Sequence, residues 1–302
     1  MPHGLLVVDK PAGPTSFDVV ARVKRALRAD KAGHAGTLDP AATGVLAVCV
    51  GDAVKLQQFL AEGDKAYDAT VAFGAATDTE DAEGQVIARG DPSAVSAESL
   101  AAALPRFVGE VEQVPPMFSA VRVGGRRLHV AARAGEEVER APRRVRIDAI
   151  EVLGVAADAA AGLVIARLAV RCGKGTYVRT LAADLGRALG VPAHLAALRR
   201  TAAGSFTLAE ALPLADVEQL ASQDRAALAA RLLPLADALR GLPAVRLVAQ
   251  QARDLGHGRA LAAEGAPMGL CRALDADGRL LAVCEGSAGV LRPVRVLAPA
   301  SH

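Results

Sequence analysis

The sequence predicts an α+β fold with a small β-barrel appendage at its C-terminal end. Three observations carry this. Short apolar or alternating runs read as strands, amphipathic stretches at helical spacing lie between them, and the texture changes after Gly241-Leu242-Pro243 to Gly-rich, hairpin-like pieces. At 302 residues the chain is long enough for two domains. With 52% hydrophobic and 23% charged residues it has the composition of a globular protein, not a disordered one.

The first element is a buried strand, residues 4–9, an apolar run bounded by Gly4 and the turn Lys10-Pro11-Ala12-Gly13-Pro14. Thr15-Ser16-Phe17-Asp18 fits a capping box that opens a helix over about 16–29, with Phe17, Val20, Val23 and Leu27 at helical spacing. Residues 33–44, dense in Gly, Thr, Asp and Pro, form a loop, followed by a strand over Val45–Val50 and a short helix near 53–61. The run from Lys65 to Gly74 alternates cleanly and reads as a strand. Residues 75–93 form an acidic, turn-rich connection and 96–108 a helix. Residues 115–144 are rich in arginine and lack lasting periodicity, so they read as a long exposed loop or hairpin. Strands follow near 145–154 and 162–172, then a helix opened by Thr176, then short helices over about 192–240. The appendage holds a short helix over 247–255 and strands at Leu270–Leu274, Leu280–Cys284 and Val290–Val296.

Several classes fall away. Cys49, Cys172, Cys271 and Cys284 lie far apart with no C-x-x-C, which argues against a zinc site or disulfide framework and for a reducing compartment. The opening residues do not read as a signal peptide, and no run of about 18 apolar residues is free of charge. The expected location is cytoplasmic. The net charge of +2 conceals segregation. Residues 10–31 carry six basic and two acidic side chains, 119–146 eight and three, and 171–200 six and one, whereas 61–112 carry three and eleven. Three basic segments fit a ligand with a phosphate backbone, and scattered solvated arginines fit them equally.

The block Gly33-His34-Ala35-Gly36-Thr37-Leu38-Asp39-Pro40-Ala41-Ala42-Thr43-Gly44 leads a glycine-rich loop into a buried strand. Asp39 is its only carboxylate. It could serve as a nucleophile if a cation keeps it ionised, or simply as an Asp-Pro turn residue. Arg179 falls in the first turn of its helix, where a cation opposes the macrodipole and calls for an anion; Asp39 is one candidate, and a solvent-facing arginine is the other reading. Tyr67 and Tyr177, the chain's two tyrosines, could stack on a base or pack in the core. His34 could stack on a base or hydrogen-bond the backbone. Gly173-Lys174-Gly175-Thr176 misses the phosphate-loop spacing, and no motif for a nucleotide cofactor or metal occurs, so no cofactor is expected.

Asp9-Lys10-Pro11-x-Gly13-x-Thr15-Ser16, the Gly33–Leu46 block and Gly51-x-Ala53-x-Lys55 together resemble the opening motifs of the TruB family, the bacterial tRNA pseudouridine-55 synthases. The resemblance continues in order through Lys65-x-Tyr67, Gly74-x-x-Thr77-Asp78-Thr79-x-Asp81-x-x-Gly84 and Pro115-Pro116-Met117-x-Ser119-Ala120. It runs on through Gly173-Lys174-Gly175-Thr176-Tyr177-Val178-Arg179 and Leu198-Arg199-Arg200-Thr201. It spans about residues 4 to 206, and the tail from about 244 resembles the family's PUA-like RNA-binding appendage. Arg122 and His129 stand where the family usually has Lys and Tyr.

This resemblance implies a mixed, mainly antiparallel sheet flanked by helices, with residues 1–243 as the catalytic domain and 244–302 as the PUA-like domain. It implies isomerisation of one uridine in the tRNA T-loop to its C-glycoside, without cofactor or metal. Asp39 would be the catalytic aspartate, with Arg179 and Tyr67 in support. His34, Tyr67, Tyr177 and Leu198 would bind the substrate, and Lys10, Pro11, Gly36 and Thr37 would hold the catalytic loop. The target base would be flipped out of the RNA, and residues 115–144 would clasp the stem-loop and order on binding. Attack at C6, attack at C1′ and a glycal route all remain open. The rival reading is a tRNA-folding chaperone whose role does not depend on Asp39. The few residues before Gly4 and the absence of a Lys-rich tail after Val296 favour a form that acts without guide RNA or an obligate protein partner, and the lack of an amphipathic heptad or unusually apolar helix favours a monomer.

Overall fold

In the computed structural model, which describes residues 2–119, 122–123, 126–128, 136 and 138–297, the chain is α+β and divides into two units. The described residues of Met1–Asp39, Val45–Glu62 and Gly204–His302 form one unit; those of Pro40–Gly44 and Gly63–Ala203 form the other.

The first unit opens with strand β1 (Gly4–Lys10) and helix α1 (Ser16–Leu27). The capping box is present: Asp18 N–H donates to Thr15 Oγ1 (3.1 Å), and Thr15 N–H donates to Asp18 Oδ2 (2.9 Å). The buried face of α1 is Ser16, Val19, Val20, Val23 and Leu27. Phe17, expected on that face from its spacing, is instead 70% exposed. The stripe starts at Ser16 and steps by three and four residues, which turns the neighbouring position away from the core. Strand β2 (Ala32–His34) pairs antiparallel with β3 (Thr43–Val50), and a 3₁₀ turn over Gly51–Leu56 leads into α2 (Gln57–Ala61). Leu6, Val8, Val20, Val23, Leu46 and Val48 share one core.

The second unit is built on long antiparallel strands. Strand β4 (Lys65–Phe73) is followed by a small hairpin, β5 (Ala75–Thr77) and β6 (Val86–Arg89), inside the stretch expected to be a turn-rich connection. Helix α3 (Ala97–Ala103) gives way to a 3₁₀ turn over Leu104–Phe107, and β7 (Gly109–Gln113) follows. Within the arginine-rich segment, β8 (Arg122–Val123) and β9 (Arg126–Arg127) pair antiparallel. Arg140 Nη1 donates to Pro115 O near the segment's other end (3.0 Å). His129 and most of 129–137 lie outside the described residues, as does the side chain of Arg122.

Strands β10 (Arg143–Asp158) and β11 (Leu163–Cys172) precede helix α4 (Val178–Leu189). Strand β12 (Ala193–Ala203) then corrects the expectation of helix from about 192. It pairs antiparallel with β4 along its length and parallel with Thr43 and Gly44 at the start of β3. Its Ala-rich composition favours helix locally, but its edges are taken up by two neighbouring strands, and tertiary pairing overrides propensity. The strand order is β12-β4-β11-β10-β7, so most of the sheet is antiparallel, and its core includes Phe73, Ile147, Leu168, Leu181 and Leu185.

The chain then returns to the first unit. Strands β13 (Phe206–Thr207) and β14 (Leu212–Pro213) come first, and β14 runs parallel to β1. Helices α5 (Leu214–Gln223), α6 (Arg225–Ala230) and α7 (Leu235–Ala238) follow. The C-terminal part holds β15 (Ala244–Arg246), α8 (Ala249–Gly256), β16 (Leu261–Ala262), β17 (Gly269–Leu274), β18 (Leu280–Ser287) and β19 (Val290–Val296). Its five strands form a curled sheet in the order β15-β17-β18-β19-β16 around a core of its own. Arg272 ties it to the preceding segment, donating to Leu242 O (3.1 Å) and Ala236 O (2.7 Å). Among the described residues no helix is long and apolar enough to cross a membrane.

Candidate active site

Asp39 stands in the turn between β2 and β3, half-buried, one residue after the buried Leu38. The loop's anchor is Ser16, itself 1% exposed. Its hydroxyl donates to Leu38 O (2.9 Å) and accepts from Leu38 N–H (2.8 Å). Two reciprocal hydrogen bonds thus fix the residue that precedes the carboxylate. Gly36 takes φ 97° within the loop, and Thr37 is exposed. Lys10 is fully buried and donates from Nζ to Pro11 O (2.9 Å), so it braces the turn that leads to Ser16. His34 ends β2; its carbonyl accepts from Gln57 Nε2 (2.9 Å), and its ring meets the ring of Phe17 edge to face, 5.2 Å between centroids.

In the second unit, Tyr67 and Leu198 share one face of the sheet. Register places Tyr67 opposite Arg200 and Ala69 opposite Leu198 on neighbouring strands. Tyr67 and Leu198 are both partly buried, packed on the same apolar core. Arg200 is 1% exposed. Burial pulls its pKa below the ordinary arginine value, and a hydrogen bond with Tyr67 opposes that pull. Gly44 carries φ 104°, and a Cβ there would lie 2.2 Å from Arg200 O. Only glycine lets these two strands approach so closely. Tyr177 is the N-cap residue of α4. Gln113 holds it from both sides, accepting from Tyr177 N–H (2.9 Å) and donating to Tyr177 O (3.2 Å).

Arg179 is 6% exposed, which sets aside the solvent-facing reading. Its Nη1 pairs with Asp81 Oδ2 (3.2 Å) and donates to Thr79 O (3.2 Å), and its Nη2 donates to Phe118 O (2.9 Å). Asp81 is held in turn by Thr79 Oγ1 (2.6 Å) and Glu83 N–H (3.1 Å). Glu80, in a left-handed conformation (φ 63°), accepts from Thr180 Oγ1 (2.9 Å) and offers its carbonyl to Leu195 N–H (3.0 Å). Burial raises the Glu80 carboxyl above its ordinary value, against the lowering pull of Thr180 and Arg179. The acidic turn between β5 and β6 thus presents an anion to a buried guanidinium at the start of α4.

Sequence reasoning named Arg179 but not Asp81, Glu80, Arg200, Gln113 or Ser16 as site residues. For Asp81 a signal was present: a cation in a helix's first turn needs an anion, and residues 61–112 hold an excess of them.

Family models match the chain in three adjoining stretches. They are described as TruB family pseudouridylate synthase (N terminal domain) over residues 24–178, tRNA pseudouridylate synthase B C-terminal domain over 179–240, and tRNA Pseudouridine synthase II, C terminal over 242–298. This chain belongs to the TruB family. Among curated relatives, tRNA pseudouridine synthase B of Ralstonia nicotianae is 52% identical over 85% of this chain and 80% of its own. The protein of the same name from Symbiobacterium thermophilum is 51% identical over 85% and 82%. Among solved structures, a Cbf5-Nop10-Gar1 complex contains a similar chain, with TM-score 0.76 and 27% identity over 99% of this chain and 86% of that one. An H/ACA RNP bound to a substrate RNA containing 2′-deoxyuridine gives TM-score 0.73 and 26% identity over 98% and 86%.

Proposed function

We propose that this TruB-family chain is an isomerase that converts a uridine of tRNA, in the T-loop, to pseudouridine. The observation that carries the reading is about 50% identity over most of the chain to several bacterial proteins named tRNA pseudouridine synthase B. The glycosidic C–N bond is exchanged for a C–C bond within one nucleotide, so atoms balance without a group donor or redox partner.

Asp39 is the catalytic carboxylate, carried on the Ser16-anchored loop. Arg179 supports catalysis, and Asp81 with the Thr79 and Phe118 carbonyls holds its guanidinium in place. Tyr67 and Leu198, sharing one sheet face, and Tyr177, clamped by Gln113, bind the flipped base, and His34 is a further substrate-binding residue that helps displace the T-loop bases. Lys10, Pro11, Gly36 and Thr37 support the catalytic loop. Residues 1–243 form the catalytic domain and 244–302 the RNA-binding appendage, which exposes Arg246, Arg292 and Arg295. The arginine-rich 115–144 segment clasps the RNA stem-loop, and phosphate contacts offset the few kcal/mol that base flipping costs.

The proposal includes a cytoplasmic location, a monomeric state and action without guide RNA. Support for the last of these is the contrast between about 50% identity to the tRNA enzymes and 27% to the chain of the Cbf5-Nop10-Gar1 complex. The test is incubation of the purified chain alone with an unmodified tRNA transcript, followed by mapping of pseudouridine. Conversion of a T-loop uridine is expected. Tight tRNA binding without conversion would favour the chaperone reading instead.

A further inference from the structure

Helix α1 buries its Ser16, Val19, Val20, Val23 and Leu27 face and leaves Phe17 out of it. A phenyl ring 70% exposed does nothing for that core. Its place is nevertheless well defined. Phe17 adjoins Ser16, whose hydroxyl makes both hydrogen bonds to Leu38 (2.8 and 2.9 Å), and Leu38 adjoins Asp39. The phenyl is therefore fastened, through one side chain, to the backbone of the Asp39 loop.

The second anchor is His34. Its ring meets that of Phe17 at 5.2 Å and 79°, a favourable edge-to-face geometry. The backbone of His34 is held by pairing with Val48 in β3 and by Gln57 Nε2 (2.9 Å). Two rings on two rigid elements, one of them largely exposed, make a stacking surface beside the loop. Every nucleobase has a π-face, so such a surface accepts unstacked bases with little regard to identity.

We propose that Phe17, backed by His34, is the surface on which an unpaired base next to the target uridine stacks once the target has been flipped toward Asp39. This rests on the functional reading above and adds a binding residue to it. Extruding one base removes a stacking partner from its neighbour, and the phenyl replaces that partner.

The test compares Phe17→Ala, Phe17→Leu and Phe17→Tyr with wild type in the full-length chain. It measures tRNA dissociation constants across a salt series, conversion kinetics, and fluorescence of 2-aminopurine placed beside the target uridine. Phe17→Ala and Phe17→Leu are expected to lower kcat/KM and tRNA affinity by about 10- to 100-fold, the worth of a lost base–aromatic stack. The salt slope should not change, because no phosphate contact is removed. The 2-aminopurine quench on binding should be lost in both variants and kept in Phe17→Tyr, with all melting temperatures close to wild type.

Wild-type kinetics in Phe17→Ala would overturn the proposal, as would Phe17→Leu performing as well as Phe17→Tyr. A wild-type chain that fails to convert tRNA would bring down the functional reading. The affinity and 2-aminopurine measurements would still decide the role of Phe17.

Discussion

Removing the Asp81 carboxylate tests the charge arrangement around Arg179. Breaking a buried ion pair by deleting one partner costs about 3–5 kcal/mol when the remaining charge has no compensation. Here the side chains are 7% and 15% exposed, and Arg179 keeps the carbonyls of Thr79 and Phe118. The expected loss for Asp81→Ala is therefore about 2–3 kcal/mol. Asp81→Asn keeps an acceptor for Thr79 Oγ1 and Glu83 N–H, and its expected loss is about 1–2 kcal/mol. Because Arg179 is also the proposed support of catalysis, turnover at saturating tRNA should fall by about 10- to 100-fold in Asp81→Ala. Urea unfolding gives the first quantity, and single-turnover pseudouridine formation gives the second. Lost stability with unchanged turnover would make the pair purely structural and refute the assignment. No change in either would refute the energetic argument as well.

Ser16→Ala removes both hydrogen bonds that fix Leu38. Urea unfolding should show a loss of about 1–3 kcal/mol, and single-turnover conversion should slow as the Asp39 loop slackens. Glu80→Gln should raise the melting temperature at neutral pH while keeping an acceptor for Thr180 Oγ1. The Glu80 carboxyl is raised in the folded chain, first by burial, so the folded state binds the proton more tightly than the unfolded state. Its contribution therefore falls as pH rises from the ordinary glutamate value through the raised one. Melting curves across that window should be flatter in the variant; identical pH dependence would contradict the burial argument.

The elements that were legible in the sequence are those whose cause is local. Thr15 and Asp18 announce the start of α1 by chemistry contained in four residues, and the alternation of Lys65–Phe73 matches a strand with one face on the core. Strand β12 was not legible, because its Ala-rich composition favours helix and the strands that pair with it come from distant parts of the chain. Phe17 was misassigned because helical spacing fits two adjacent stripes until the first buried residue is known. The loop around Asp39 stood out through its glycines. The partner of Arg179 did not, since Asp81 lies 98 residues away in sequence and only the fold brings the two together.

The most direct test of the central claim is conversion of an unmodified tRNA transcript by Asp39→Asn, measured beside its tRNA affinity. The account predicts affinity close to wild type and pseudouridine formation lower by several orders of magnitude. Turnover that survives the substitution would show that the reaction does not depend on this carboxylate.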